Sequence, residues 1–235
     1  MRLSPEDAIS LQARMAKDVV RHDAVDEQEI NRICGVDVSY NQDKAFSCAV
    51  VLERRSLSVV ESACKESKVG SPYIPGLLFL RESGPILGAI KRLKRDYDLL
   101  MVDGHGLLHP RRFGLASYIG IKVDKPTIGV GKSLLCGRVL GRRRPGLVLL
   151  DGEELGAVLG KDGKPIYVSL GHKISLKTAV KLVEEVSRYR VPEPLRLAHI
   201  NSRKMMMAAR MKTRMTTEKA GIKTKKKMAS KQAKR

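Results

Sequence analysis

Three carboxylates stand where an acid is out of place unless it does chemistry. Asp37 interrupts the apolar run Cys34-Gly35-Val36-Asp37-Val38, Asp103 closes the apolar run at 99–102, and Glu82 lies just before a helix expected between them. Taken singly, Asp37 reads as a hydrogen-bonded strand carboxylate and Asp103 as the opener of a turn. Taken together they read differently. If the strands at 33–40 and 99–102 are neighbours, Asp37 and Asp103 meet at one end of a sheet, and Glu82 closes the cluster from the helix side. Clustered carboxylates repel one another unless a hard cation neutralises them, and Mg²⁺ accepts such oxygen ligands while keeping waters. That arrangement can activate a water and stabilise the charge on a phosphodiester displaced in line.

The elements that must position these acids follow from periodicity and turn chemistry. Ser4-Pro5-Glu6-Asp7 is a helix start, with Ser as N-cap and Pro at the first helical position, and Ala8, Leu11, Met15 and Val19 repeat at helical spacing. Strand-like runs at 33–40, 46–53 and 57–64 are separated by short polar gaps, which predicts an antiparallel meander. A helix is predicted from Ile86 to Leu93 after Ser83-Gly84-Pro85, then a buried strand at 99–102, a helix at 113–121 and a strand at 126–130. Further strands are expected at 147–150, 155–159 and 166–169, joined by Asp-Gly and Gly-Lys-Asp-Gly turns, before an amphipathic helix at 174–189. Three strands, then helix, strand, helix, strand is the order of the ribonuclease H-like fold: α/β, with a mixed central sheet flanked by helices.

Charge divides the chain. Of 235 residues, 45 are Lys or Arg and 25 Asp or Glu, a net charge of +20 that points to a polyanionic partner. Residues 201–235 hold thirteen of the basic residues and one acid, Glu218, so more than half of the excess lies there. The reading is a catalytic domain at 1–204 and a basic, Met- and Lys-rich tail at 205–235, helical to about Met215 and disordered after Gly221. Such a tail raises affinity for nucleic acid without reading its sequence. The chain has no Trp, three Phe and six Tyr, which argues against a sheet paved with aromatics for stacking bases. No apolar run approaches the ~18 residues of a membrane span and no secretion signal is visible, so a cytoplasmic protein with no membrane partner is expected. The four cysteines, Cys34, Cys48, Cys64 and Cys136, show no CxxC pairing, which predicts reduced thiols rather than disulfides or zinc.

Four segments go beyond topology: GVDVSY from Gly35, PYIPGLLFLRE from Pro72, VDGHGLLHPR from Val102 and PTIGVGKS from Pro126. With Tyr167-Val168-Ser169, Gly171-His172 and the stretch from Val191-Pro192-Glu193-Pro194 to His199, they closely resemble the endonuclease V (deoxyinosine 3′-endonuclease) family over about residues 5–205. The resemblance implies a ribonuclease H-like nuclease using Mg²⁺ or Mn²⁺ that cuts the second phosphodiester bond 3′ to deoxyinosine in DNA, leaving 3′-hydroxyl and 5′-phosphate ends. It assigns Asp37, Glu82 and Asp103 to the metal site, His199 beside them, and Lys132 to the scissile phosphate. It also places Tyr73, Ile74, Pro75, Gly76, Leu78, Gly104, Gly106, His109 and Gly114 at the DNA and its altered base. A monomer is expected, and the resemblance leaves RNA containing inosine open as a second partner. Tyr118 departs from the family's usual His, and Gly131 from a common Ala.

The PYIP segment has a rationale of its own. Two prolines stiffen a loop on which Tyr73 and Ile74 form an apolar wedge, offsetting the cost of a few kcal/mol for turning a base out of the stack. Glycines nearby let backbone groups approach a base edge without a Cβ in the way. Two other readings stand beside this one. A junction-type nuclease of the same fold would need a fourth carboxylate in place of His199, and a non-catalytic nucleic-acid-binding protein would not need Asp37, Glu82 and Asp103 intact.

Overall fold

The computed structural model describes residues 3–141, 145–160 and 164–232, with side chains described through residue 212. Strands β1 (Arg32–Asn41), β2 (Lys44–Glu53) and β3 (Val59–Lys68) form the expected antiparallel meander. On the other side of β1, β4 (Leu99–Asp103) runs parallel to it and β5 (Thr127–Gly131) parallel to β4. The sheet is then extended by β6 (Arg138–Leu140), β7 (Gly146–Leu150), β8 (Glu153–Leu159) and β9 (Ile166–His172), giving the order β3-β2-β1-β4-β5-β9-β8-β7-β6. This is the mixed α/β sheet expected of a ribonuclease H-like fold. The turn foreseen at 160–163 falls largely outside the described residues.

Helices cover both faces. Helix α1 (Pro5–Met15) starts as predicted, with Ser4 Oγ accepting the Asp7 N–H at 3.1 Å. Helices α2 (Leu78–Ile90) and α3 (Leu115–Val123) bury Phe79, Ile86, Leu115 and Ile119 against Val36, Leu100 and Val102. The opposite face, with Ile33, Leu99, Met101 and Ile128, is closed by α4 (Leu176–Glu185) through Ala179, Leu182 and Val183. Helix α5 (Glu193–Gln232) lies across β1 and β2. Its approach requires a glycine at position 35, where a Cβ would stand 2.2 Å from the Pro194 carbonyl carbon. Helix α5 continues past Gly221 to Gln232, where the sequence predicts disorder; the side chains beyond residue 212 lie outside the described set.

Three expectations are corrected. Helix α2 begins at Leu78, eight residues earlier than predicted, so Glu82 lies inside it and Pro85 sits in its interior. A proline removes one backbone donor from the helix; burial of Phe79, Ile86 and Ala89 on one side outweighs that loss, and the Pro85 carbonyl accepts the Ser47 hydroxyl at 2.8 Å. Strand β6 carries no signal in the sequence because all three of its residues are exposed. Cys48 and Cys64 are joined in a disulfide rather than reduced. They are directly opposed on β2 and β3, with Cα atoms 4.1 Å apart, a consequence of register that a search for CxxC spacing does not see.

Candidate active site

Parallel pairing of β1 with β4 builds the centre of the site. The register ends at Val36 opposite Val102, so the next residues, Asp37 and Asp103, emerge side by side. Asp37 is 6% exposed. Its Oδ2 accepts the Ser202 hydroxyl at 2.7 Å and the His199 Nδ1–H at 3.2 Å, both from α5. Ser39, two residues along the same strand face, is 2.8 Å from Ser202 through their hydroxyl oxygens, so a buried serine pair supports Asp37. Glu82 reaches the cluster from α2 and accepts the Tyr40 hydroxyl at 3.3 Å. The Tyr40 ring in turn lies 4.2 Å from the Arg81 guanidinium. Lys132, just past β5, sets its ammonium on Asp103 Oδ2.

The electrostatics record the cost of gathering these acids. Burial, then the charges of Asp37 and Asp103, push Glu82 up from the usual carboxylate range to about 8. Asp103 is also raised: burial pushes it up, Lys132 pulls it back, and Asp37 pushes it up again. Among the described residues no three acidic, histidine or cysteine side chains already stand as a closed metal site. The donor set nonetheless fits a hard divalent cation. Its oxygens are short of positive charge, Glu82 holds a proton to compensate, and Lys132 lies where added positive charge is most useful.

Beside the acids opens a cavity of about 490 Å³. Asp37, Glu82, Asp103, Lys132 and His199 line it, together with Tyr73, Gly76, Leu78, Gly104, His109 and Gly114. Ile74, Pro75 and Gly106 from the sequence-derived set do not. Tyr73 stands 63% exposed at the rim, whereas Ile74 packs partly buried against the α2–α3 core, so the exposed wedge side chain is Tyr73 alone. Gly106 lies behind the cavity wall and donates its N–H to Ser169 Oγ at 3.1 Å. His109 is buried and held in one tautomer: Nδ1 accepts the Arg111 N–H at 3.2 Å and Nε2 donates to the Gly76 carbonyl at 3.0 Å. Burial lowers its pKa to about 4, so it is a neutral hydrogen-bonding group across the physiological range.

Sequence reasoning missed four contributors. Ser202 and Tyr40 bond two of the acids, His105 Nε2 donates to the Ser133 carbonyl at 2.9 Å and steadies the Lys132 loop, and Gln12 reaches the cavity from α1. Tyr40 and His105 carried a signal, as members of the GVDVSY and VDGHGLLHPR segments, whereas Ser202 and Gln12 carried none. Tyr118 packs its ring 4.8 Å from Phe79 and 6.4 Å from Phe113, and His172 accepts the Val20 N–H at 3.3 Å; neither lines the cavity.

Carboxylates gathered at the ends of two parallel central strands of such a sheet define a nuclease of the ribonuclease H-like class. The Endonuclease V family model matches residues 13–200, and the chain belongs to that family. It is 46% identical over 203 residues to Endonuclease V of Thermofilum pendens, covering 84% of this chain and 87% of that one. Among solved structures it resembles Endonuclease V of Streptomyces avermitilis (34% identity, TM-score 0.81, 88% and 94% of the two chains). It also resembles Endonuclease V of Ciona intestinalis (30%, 0.77, 85% and 96%), solved with a 24mer DNA containing an inosine followed by a ribo-adenosine. The chain is therefore an endonuclease, of a family that generally depends on a metal ion. Among the described residues no helix is long and apolar enough to cross a membrane.

Proposed function

We propose that this endonuclease recognises deoxyinosine in DNA and hydrolyses the second phosphodiester bond 3′ to it, leaving 3′-hydroxyl and 5′-phosphate ends and so starting repair of deaminated adenine. The observation that carries this reading is the shared lining of one cavity: Asp37, Glu82, Asp103, His199 and Lys132 on one side, and Tyr73, Gly76, Leu78, Gly104, His109 and Gly114 on the other. Asp37, Glu82 and Asp103, with His199 beside them, would hold Mg²⁺ or Mn²⁺. The chemistry such a cation would supply there is activation of a water and neutralisation of charge at the scissile phosphate. Ser202 and His199 keep the Asp37 carboxylate aimed, and Lys132 meets the charge that develops on the phosphate. Tyr73 fills the gap left when the base turns out of the stack. Backbone groups around Gly76, Gly104 and Gly114 meet the ring N–H and carbonyl of hypoxanthine and reject adenine, whose amino group reverses that donor pattern.

One chain supplies every one of these groups, which supports action as a monomer. We place it in the cytoplasm, a setting in which the Cys48–Cys64 disulfide must withstand reduction. The test uses labelled single- and double-stranded DNA, with and without one deoxyinosine, and the same strands with inosine in RNA, each with Mg²⁺. Cutting one nucleotide beyond the lesion, lost in Asp103→Ala, is the expected result. Equal cutting of strands without inosine overturns the reading, and exclusive cutting of RNA moves the substrate to inosine in RNA.

A further inference from the structure

The carbonyl of Gly76 receives three hydrogen bonds. His109 Nε2 donates at 3.0 Å, Arg111 Nη2 at 2.7 Å and Gln12 Nε2 at 3.1 Å. Gly76 ends the PYIPG segment in the left-handed region, at φ +76, and the three bonds to its carbonyl anchor the C-terminal end of that segment where it enters α2. Of the three donors, Gln12 is the most distant in sequence and the one that comes from a helix. It is 1% exposed on α1, 64 residues from Gly76 in sequence. The same Nε2 donates to the Phe113 carbonyl at 2.8 Å, and Gln12 Oε1 accepts the Arg111 Nε–H at 2.6 Å.

This amide therefore spans two of the glycine-bearing walls of the cavity. Gly76 lies on one of them, and Phe113 precedes Gly114, which lies on the second. The task needs two donors and one acceptor in a single planar group. A carboxylate has no donor, a guanidinium or ammonium has no acceptor, and Asn is one methylene short. We infer that Gln12 is a positioning residue for specificity: its side-chain amide sets the separation of the Gly76 and Gly114 walls between which the altered base is read. The inference rests on the cavity being the inosine pocket and extends that reading to a residue outside every motif of the site. Gln12 touches no acid of the metal cluster, so its influence falls on recognition rather than on bond cleavage.

The test compares the full-length wild type with Gln12→Leu and Gln12→Glu on two oligonucleotides that differ only in deoxyinosine or deoxyadenosine at one position. Leucine removes all three bonds, whereas glutamate keeps the acceptor for Arg111 and loses both donors. Both variants are expected to raise KM for the inosine strand about tenfold or more while kcat changes by less than about threefold. The inosine-to-adenosine preference should shrink by the same factor as KM rises. Wild-type KM and preference in Gln12→Glu overturns the inference, as does a loss confined to kcat. Should neither variant fold, the wild-type chain decides. Its Gln12 side-chain amide protons are expected to stay protected from exchange when the inosine oligonucleotide binds, and their release overturns the inference. A wild type that cuts both oligonucleotides equally is a separate result, since it defeats the functional reading itself.

Discussion

Lys132 places its ammonium on Oδ2 of Asp103, so the loop after β5 and the end of β4 meet through one ion pair at the mouth of the cavity. Lys132 is nearly half exposed. Such a pair contributes at most about 1 kcal/mol to folding, and under the proposed function its value would lie in holding a cation beside the reacting phosphate. Lys132→Ala is expected to lower single-turnover cleavage about a hundredfold. Affinity for the uncut strand should change by less than threefold, and the midpoint of thermal unfolding should barely move.

Glu82 makes the metal-free protein sensitive to pH. Its carboxyl is raised from 4.5 to about 8 in the folded state, so the folded chain holds a proton that the unfolded chain has released. The associated stability is complete below about 4.5 and is lost as pH rises toward 8. In chelator-treated protein Tm should therefore fall as pH rises through this window, and millimolar Mg²⁺ should restore it. Glu82→Gln should flatten the profile. A chelated protein whose Tm is constant from pH 5 to 8 would contradict the crowding of charge described for the site.

The packing of α5 against β1 gives a steric test. In Gly35→Ala the new methyl meets the Pro194 backbone, which cannot swing aside as a side-chain tip could. The helix must back away, carrying His199 and Ser202 off Asp37. We expect a loss of about 3 kcal/mol in denaturant unfolding, at the upper end of overpacking costs, together with weakened Mn²⁺ binding by calorimetry. Intact Mn²⁺ affinity would separate the helix from the metal site.

The basic extension tests the division of labour between affinity and recognition. Deleting residues 206–235 removes most of the excess charge of the tail while leaving Ser202 and His199 in place. Binding to any DNA should weaken, and its dependence on salt should become shallower. Preference for inosine should persist. A truncated chain that no longer distinguishes inosine would locate recognition in α5 instead of the cavity.

The centre of the site was legible because three acids, each ordinary by itself, fall in matching positions of one expected topology, and two of them constrain strand pairing. Asp37 and Asp103 could be placed from pattern alone. Lys132 and His199 could not: each is an ordinary polar residue in a polar stretch, and only resemblance to a family singled them out. Gln12 and Ser202 were invisible, because one sits on an amphipathic helix and the other beside a basic run, and their partners are 64 and 165 residues away. The disulfide failed for a related reason. Cys48 and Cys64 are ordinary members of strand-like runs until the β2–β3 register sets them opposite each other. Element boundaries erred where burial outweighed local propensity, as at Pro85 within α2.

Docking of α5 also sets an order in time. The acids of the cluster come from β1, α2 and β4, but the side chains that hold Asp37 lie at 199 and 202, after every strand of the sheet. A chain emerging from its N-terminus gathers Asp37, Glu82 and Asp103 before it has anything with which to aim the first of them. If the proposed site is right, the growing chain would become a competent nuclease only once α5 had settled onto the sheet.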